Sequence, residues 1–140
     1  MSHMHYDIKA MDMENAGSIS STIKKMLKND GVDRLIIRRV AIASYEAEIN
    51  VVIHSCGGVC EVEYNDNTIT INFIDDGPGI PDIEKAMTPG WSTASKLDHE
   101  LGFGAGMGFT NMKNASDKLT VTSSPDGTNV EIFFNLKKEL

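Results

Sequence analysis

Glu46 and Asn50 stand one helical turn apart in the stretch YEAEINVVIH, and that pair of side chains carries a definite chemistry. An asparagine carbonyl oxygen suits a Mg²⁺ ion that keeps its waters and its phosphate oxygens. A carboxylate one turn away can take a proton from a hydroxyl or water attacking phosphorus. Together they describe a phosphoryl-transfer site. At about 100° per residue, Leu35, Ile42, Ile49 and Ile53 fall within roughly 60° of Glu46 on a helical wheel. The pair is therefore expected in the middle of an apolar stripe. The plain alternatives are that the stripe meets solvent at its edge, or that Glu46 pairs with Arg39. A buried carboxylate without compensation is costly, so one retained there points to a cation or a reacting water. His54, a further turn along, reads as a packing or hydrogen-bonding residue at the helix end.

Two glycine-rich runs add to this. LGFGAGMGF places Gly102, Gly104, Gly106 and Gly108 at alternate positions ahead of a helix. Small residues in succession let backbone N–H groups turn inward as an anion nest, and the helix N-terminus adds a positive dipole end. A hinge without a ligand is the alternative. The run is neither GxxxxGK[ST] nor GxGxxG, so the P-loop and dinucleotide fingerprints are excluded. The second run, FIDDGPGI, sets an acidic pair before Gly-Pro-Gly. That turn brings its backbone close to whatever lies in front of it, a dock for something small.

The elements that must position these residues fit one domain, expected over residues 1–140. A net charge of −7 would repel a phosphate backbone over most of the surface, so no nucleic-acid partner is expected. No apolar stretch approaches the roughly 18 residues of a membrane span, and no apolar signal region opens the chain. A cytoplasmic protein is expected. Cys56 and Cys60 in CGGVC read as two reduced thiols, too few for a zinc site. MSHM, residues 1–4, reads as a possible expression scar and is set aside.

Periodicity predicts a strand over 5–11, a helix over 14–28 and a long helix capped by Asp33 and running to about His54. Strands over 59–64 and 68–74 are joined by Asn65-Asp66-Asn67, a hairpin signal. A short helix over 81–87 follows the Gly-Pro-Gly turn, then a long irregular segment over 88–106, a helix over 107–116, and strands over 119–123 and 130–136 around Pro125-Asp126-Gly127. Helices on one side and hairpins on the other make an α+β two-layer sandwich.

In order and spacing, Glu46–Asn50–His54, Asp75-Asp-Gly77-Pro-Gly79-Ile80 and Gly102 to Phe109 resemble the boxes of the GHKL ATPase superfamily. Within it the chain is most similar to the small bacterial anti-sigma-factor serine/threonine kinases, over nearly its whole length. The resemblance implies a Bergerat-type fold, with helices on one face of a mixed, mostly antiparallel sheet. It implies ATP or ADP with Mg²⁺ as the cofactor set. Asp75 would accept a hydrogen bond from the adenine amino group, with Thr128 on the adenine side. Gly77, Gly79 and Ile80 would let base and ribose approach. Glu46 would be the general base, and Asn50 the Mg²⁺ ligand.

Residues 88–108 would be the ATP lid, with Gly104, Ala105, Gly106, Met107, Gly108 and Phe109 near the phosphates. Ser92 and Thr93 fall where related kinases carry a hydroxyl pair, and Lys96 is the lid's cation; a solvated loop and a solvated lysine are the alternatives. The partners implied are a sigma factor and a STAS-domain antagonist whose hydroxyl takes the γ-phosphate, with a homodimer as the usual assembly. The chain departs from the sporulation-type kinases in having Leu-Gly-Phe-Gly-Ala where they tend to place a basic residue. That implies slow turnover, and it keeps open an ATP-gated binding or switch protein.

Overall fold

The computed structural model describes residues 2–54, 57–75 and 108–137. Five strands, β1 (Ser2–Ile8), β2 (Gly58–Tyr64), β3 (Thr68–Asp75), β4 (Lys118–Ser124) and β5 (Gly127–Asn135), form one sheet in the order β1-β2-β3-β5-β4. Three helices, α1 (Ser18–Asn29), α2 (Arg34–His54) and α3 (Gly108–Ala115), complete the described chain. The α+β expectation holds, with one correction. Each neighbouring pair of strands runs antiparallel, so among the described residues the sheet is not mixed. Parallel pairs need a crossover, and the hairpins 58–75 and 118–135 supply none.

Alternation along the strands explains the layers. Ile69, Ile71 and Phe73 of β3 lie opposite Phe134, Ile132 and Val130 of β5, and all six are buried. Because successive side chains point to opposite faces, this register gathers them on one side of the sheet. Ile23 and Leu27 of α1, Val40, Ala43 and Ala47 of α2, and Met112 of α3 close over that side in a continuous core. Each large apolar side chain withdrawn from water contributes about 1.5–3 kcal/mol before conformational entropy is set against it.

Two boundaries differ from the sequence expectation for identifiable reasons. β1 begins at Ser2 and ends at Ile8, in register from Ser2↔Tyr64 to Ile8↔Gly58. The tetrapeptide set aside as a scar thus contributes Ser2, His3 and Met4 to the sheet, and the chain beyond Ile8 turns away, with Met11 at φ 58°. α1 starts at Ser18 instead of residue 14 because Gly17, at φ 92°, holds a left-handed conformation that no helix continues through. The long helix forms as expected, as do both hairpins. In the first, Asn65 Oδ1 accepts from the N–H groups of Asn67 (2.8 Å) and Thr68 (2.9 Å), the side chain standing in for a backbone turn. The helix expected over 81–87 and the segment 88–107 lie outside the described residues.

Candidate functional site

α2 is the longest described helix, and it packs on α1, α3 and the sheet. Its buried side chains are Ile36, Ile37, Val40, Ala43, Ser44, Ala47, Glu48, Ile49, Val51 and Val52. At about 100° per residue this arc is centred roughly 140° away from Glu46. The expected oily stripe around Glu46 is therefore corrected: Leu35 and Ile42 are 63% and 40% exposed, and Glu46 and Asn50 are half-buried on the border of the packed face. A helix clasped by neighbours on two sides and a sheet beneath buries a wide arc, so a wheel drawn from apolar residues alone finds the wrong centre.

That border is covered by α3. A Cβ placed on Gly108 would lie 3.4 Å from Asn50 Nδ2, 3.5 Å from Asn50 Oδ1 and 3.5 Å from Glu46 Oε2. Both polar side chains thus converge on the first residue of α3, where the glycine run ends. Asn111 Nδ2 donates to Glu46 Oε1 at 3.2 Å. Arg39, the alternative partner for Glu46, is engaged elsewhere. Its Nε donates to the carbonyl of Ala115 at 2.8 Å, closing the C-terminal end of α3, and its Nη2 meets Asp117 Oδ1 at 2.9 Å. Asp117 in turn accepts from the N–H of Asn135 at 2.7 Å, tying α3 to the edge of β5. Phe109 packs partly buried against the core beside Gly108.

The buried carboxylate on α2 is Glu48, at 2% exposure, a residue the sequence reading passed over. Gly17 offers α1 no side-chain cap, and Glu48 supplies one from a distance. Its Oε2 accepts from the N–H groups of Gly17 (2.9 Å) and Ile19 (3.3 Å), and its Oε1 from that of Ser20 (3.1 Å). These are the N–H groups a helix leaves without intrahelical partners, and the dipole there favours an anion. Burial raises the Glu48 pKa, and the backbone donors pull the other way. The available signal was a helix start without a Ser, Thr or Asp cap.

At the end of β3, Asp75 is the register partner of Thr128. The Thr128 N–H donates to Asp75 Oδ1 at 3.1 Å, and the buried Thr128 side chain lies 2.9 Å from Ser123 Oγ. Two residues expected on one side of a ligand are thereby brought together although they stand 53 positions apart in the chain. By alternation both lie on the face of Phe73 and Val130, the face beneath the helices. Gly58 sits across from Asp75 on the other side. A Cβ at Gly58 would come within 2.1 Å of the Ile74 carbonyl oxygen and 2.7 Å of Asp75 Cα, so only glycine lets β2 approach here.

Of the residues expected at the site, Glu46, Asn50, Asp75, Gly108, Phe109 and Thr128 are described. Gly77, Gly79, Ile80, Ser92, Thr93, Lys96, Gly104, Ala105, Gly106 and Met107 lie outside the described residues, as does Cys56. Cys60 is a buried free thiol, and burial pushes its pKa up, so it stays protonated and inert. Among the described residues no helix is long and apolar enough to cross a membrane.

Comparison with known proteins agrees with this fold. The family profile described as histidine kinase-, DNA gyrase B- and HSP90-like ATPase matches residues 35–138. The anti-sigma F factor of Caldanaerobacter subterraneus is 42% identical over 94 residues, 64% of this chain and 62% of that protein. The anti-sigma F factor of Bacillus subtilis is 34% identical over 100 residues, 66% and 65% of the two chains. The matched part thus spans less than two thirds of these relatives. Among solved structures, the RsbU and RsbW domains of a Mycobacterium tuberculosis protein superpose with a TM-score of 0.67 at 15% identity, covering 99% of this chain and 34% of that one. The SiaB–SiaC complex of Pseudomonas aeruginosa gives a TM-score of 0.54 at 9% identity, covering 94% and 89%. These two likenesses speak for the fold alone. With the profile spanning both the Glu46–Asn50 helix and the Asp75–Thr128 strand pair, the chain belongs to the histidine kinase-, DNA gyrase B- and HSP90-like ATPase family, and ATP is the nucleotide that family membership implies.

Proposed function

We propose that this protein is an ATP- and Mg²⁺-dependent serine/threonine kinase of the anti-sigma-factor type. It would transfer the γ-phosphate to a hydroxyl of a STAS-type antagonist and so regulate a sigma factor. The observation that carries the reading is the convergence of Glu46 and Asn50 on Gly108, at the start of α3. The similarity to anti-sigma F factors supports it.

In this reading Asp75 and Thr128 receive the adenine, with Gly77, Gly79 and Ile80 alongside. Residues 88–108 close over the phosphates as a lid, bringing Ser92, Thr93, Lys96 and Gly104 to Met107 toward them, and Gly108 and Phe109 begin the helix behind. The donor set suits Mg²⁺: a neutral amide oxygen beside a carboxylate, both half-buried, is what a cation sharing its shell with water and phosphate accepts. Asn50 would hold the ion, which when bound neutralises charge on the phosphate oxygens. The acceptor hydroxyl attacks the γ-phosphorus, its proton passes to Glu46, and the bond to the bridging oxygen breaks to release ADP.

Glu46→Gln is expected to bind ATP as wild type does while phosphotransfer falls about 10²–10⁴-fold, the usual contribution of a positioned base. Transfer at the wild-type rate in that variant removes Glu46 from the role. A second reading has a specific feature in its favour: Leu101 to Ala105 carry no basic residue, which leaves Lys96 as the only cation over 88–108. There ATP would close the lid and gate association with a regulator without transfer. ADP formation on incubation with Mg²⁺ and ATP, with and without a STAS-domain protein, separates the two.

A further inference from the structure

We propose that Asn111 is a positioning residue for Glu46, fixing which carboxylate oxygen faces the reacting groups; the proposal rests on the kinase reading above. Gly108 and Asn111 are three residues apart on α3, so they share the helix face turned to α2. Asn111 Nδ2 engages Glu46 Oε1 at 3.2 Å, while Glu46 Oε2 is the oxygen set against Gly108, the residue on which the Asn50 amide also converges. The two oxygens are thereby given different tasks. A glutamate's terminal torsion is broad, and without a donor on one oxygen the carboxylate plane is free to turn.

The chemistry of the donor matters. An ionised carboxylate only accepts, so the asparagine must present its NH₂ to it. That hydrogen bond is neutral on the donor's side: it orients the carboxylate without placing a cation beside it, as lysine or arginine would. A cation there would oppose transfer of a proton to Glu46. The anchoring of α3 by Arg39 at Ala115 and Asp117 keeps Asn111 in register with Glu46 from the other end of the helix.

The test compares wild type, Asn111→Ala, Asn111→Asp, Glu46→Gln and the Glu46→Gln/Asn111→Ala double variant. Asn111→Asp keeps the shape and removes the donor; alanine keeps the helix. Expected are a roughly tenfold lower kcat for ADP formation in both Asn111 variants, a KM for ATP within about twofold, and no further loss when Asn111→Ala is added to Glu46→Gln, since groups acting as one unit are not additive. A merely structural asparagine would cost the same factor in both backgrounds and would move KM as well. A readout free of turnover is the Asn111 side-chain amide in ¹⁵N–¹H correlation spectra of the nucleotide-free protein. Its signals are expected to move in Glu46→Gln while those of the exposed Asn114 do not. If Glu46→Gln loses turnover but the Asn111 variants keep wild-type kcat and the amide signals stay in place, the positioning role is overturned and the kinase reading survives. If Glu46→Gln retains turnover, or wild type forms no ADP, both fall together.

Discussion

Two glutamates on one helix, separated by a single residue, have opposite fates. Glu48 faces the junction of α1 and α2, where its two oxygens are taken by three backbone N–H groups. Glu46 faces the junction of α2 and α3, where one oxygen accepts from Asn111 and the other lies against Gly108. Glu48 is the more deeply buried, yet both its oxygens are engaged by the start of α1. Burial alone does not mark a reactive carboxylate; spare lone pairs beside open space do. One region uses its carboxylate to hold two helices together. The other leaves its carboxylate available.

The widest separation between the two should appear in stability. Glu48→Ala strips three N–H groups of their acceptor in a buried place and is expected to cost about 2–4 kcal/mol in urea unfolding. Glu46→Ala at the half-buried border should stay within about 1 kcal/mol. Equal losses would erase the distinction between the two junctions. A smaller effect is expected of Arg39→Met. Its ion pair with Asp117 is partly exposed and screened, so the loss should be about 1 kcal/mol, mostly from the Ala115 carbonyl left without its donor. Because it loosens α3, ADP formation should fall although Arg39 makes no contact with Glu46; unchanged turnover would mean that α3 needs no anchor.

The finest test uses pH. Burial raises the Glu48 pKa above the ordinary 4.5, so the folded chain binds that proton more tightly than the unfolded chain does. Stability from this group therefore falls as pH rises from about 4.5 through the raised folded value. The unfolding free energy of wild type relative to Glu48→Gln should shrink over that window. A difference that grows with pH would mean that the α1 N–H groups outweigh burial.

Much of this was legible without coordinates. The alternation of Ile69, Ile71 and Phe73, and of Val130, Ile132 and Phe134, specified two strands and their inner face, because a period of two admits no other reading. Asn65-Asp66-Asn67 specified a turn through the asparagine side chain. The site's boxes were legible as a resemblance, though the direct bond between Asp75 and Thr128 was not, since residues so far apart meet only through strand register. Glu48, Asn111 and Gly58 went unnoticed for a common reason. Each acts on a neighbour that is distant in the chain: the bare start of α1, the carboxylate of Glu46, the carbonyl of Ile74.

By itself, then, the chain's order of residues determined its described helices and hairpins, give or take their ends, since propensity, capping and periodicity act over a few residues. Packing decided which glutamate on α2 remains available. A helix carries its side chains all round, and only the neighbours that close over it determine which are spent on structure and which face an open space.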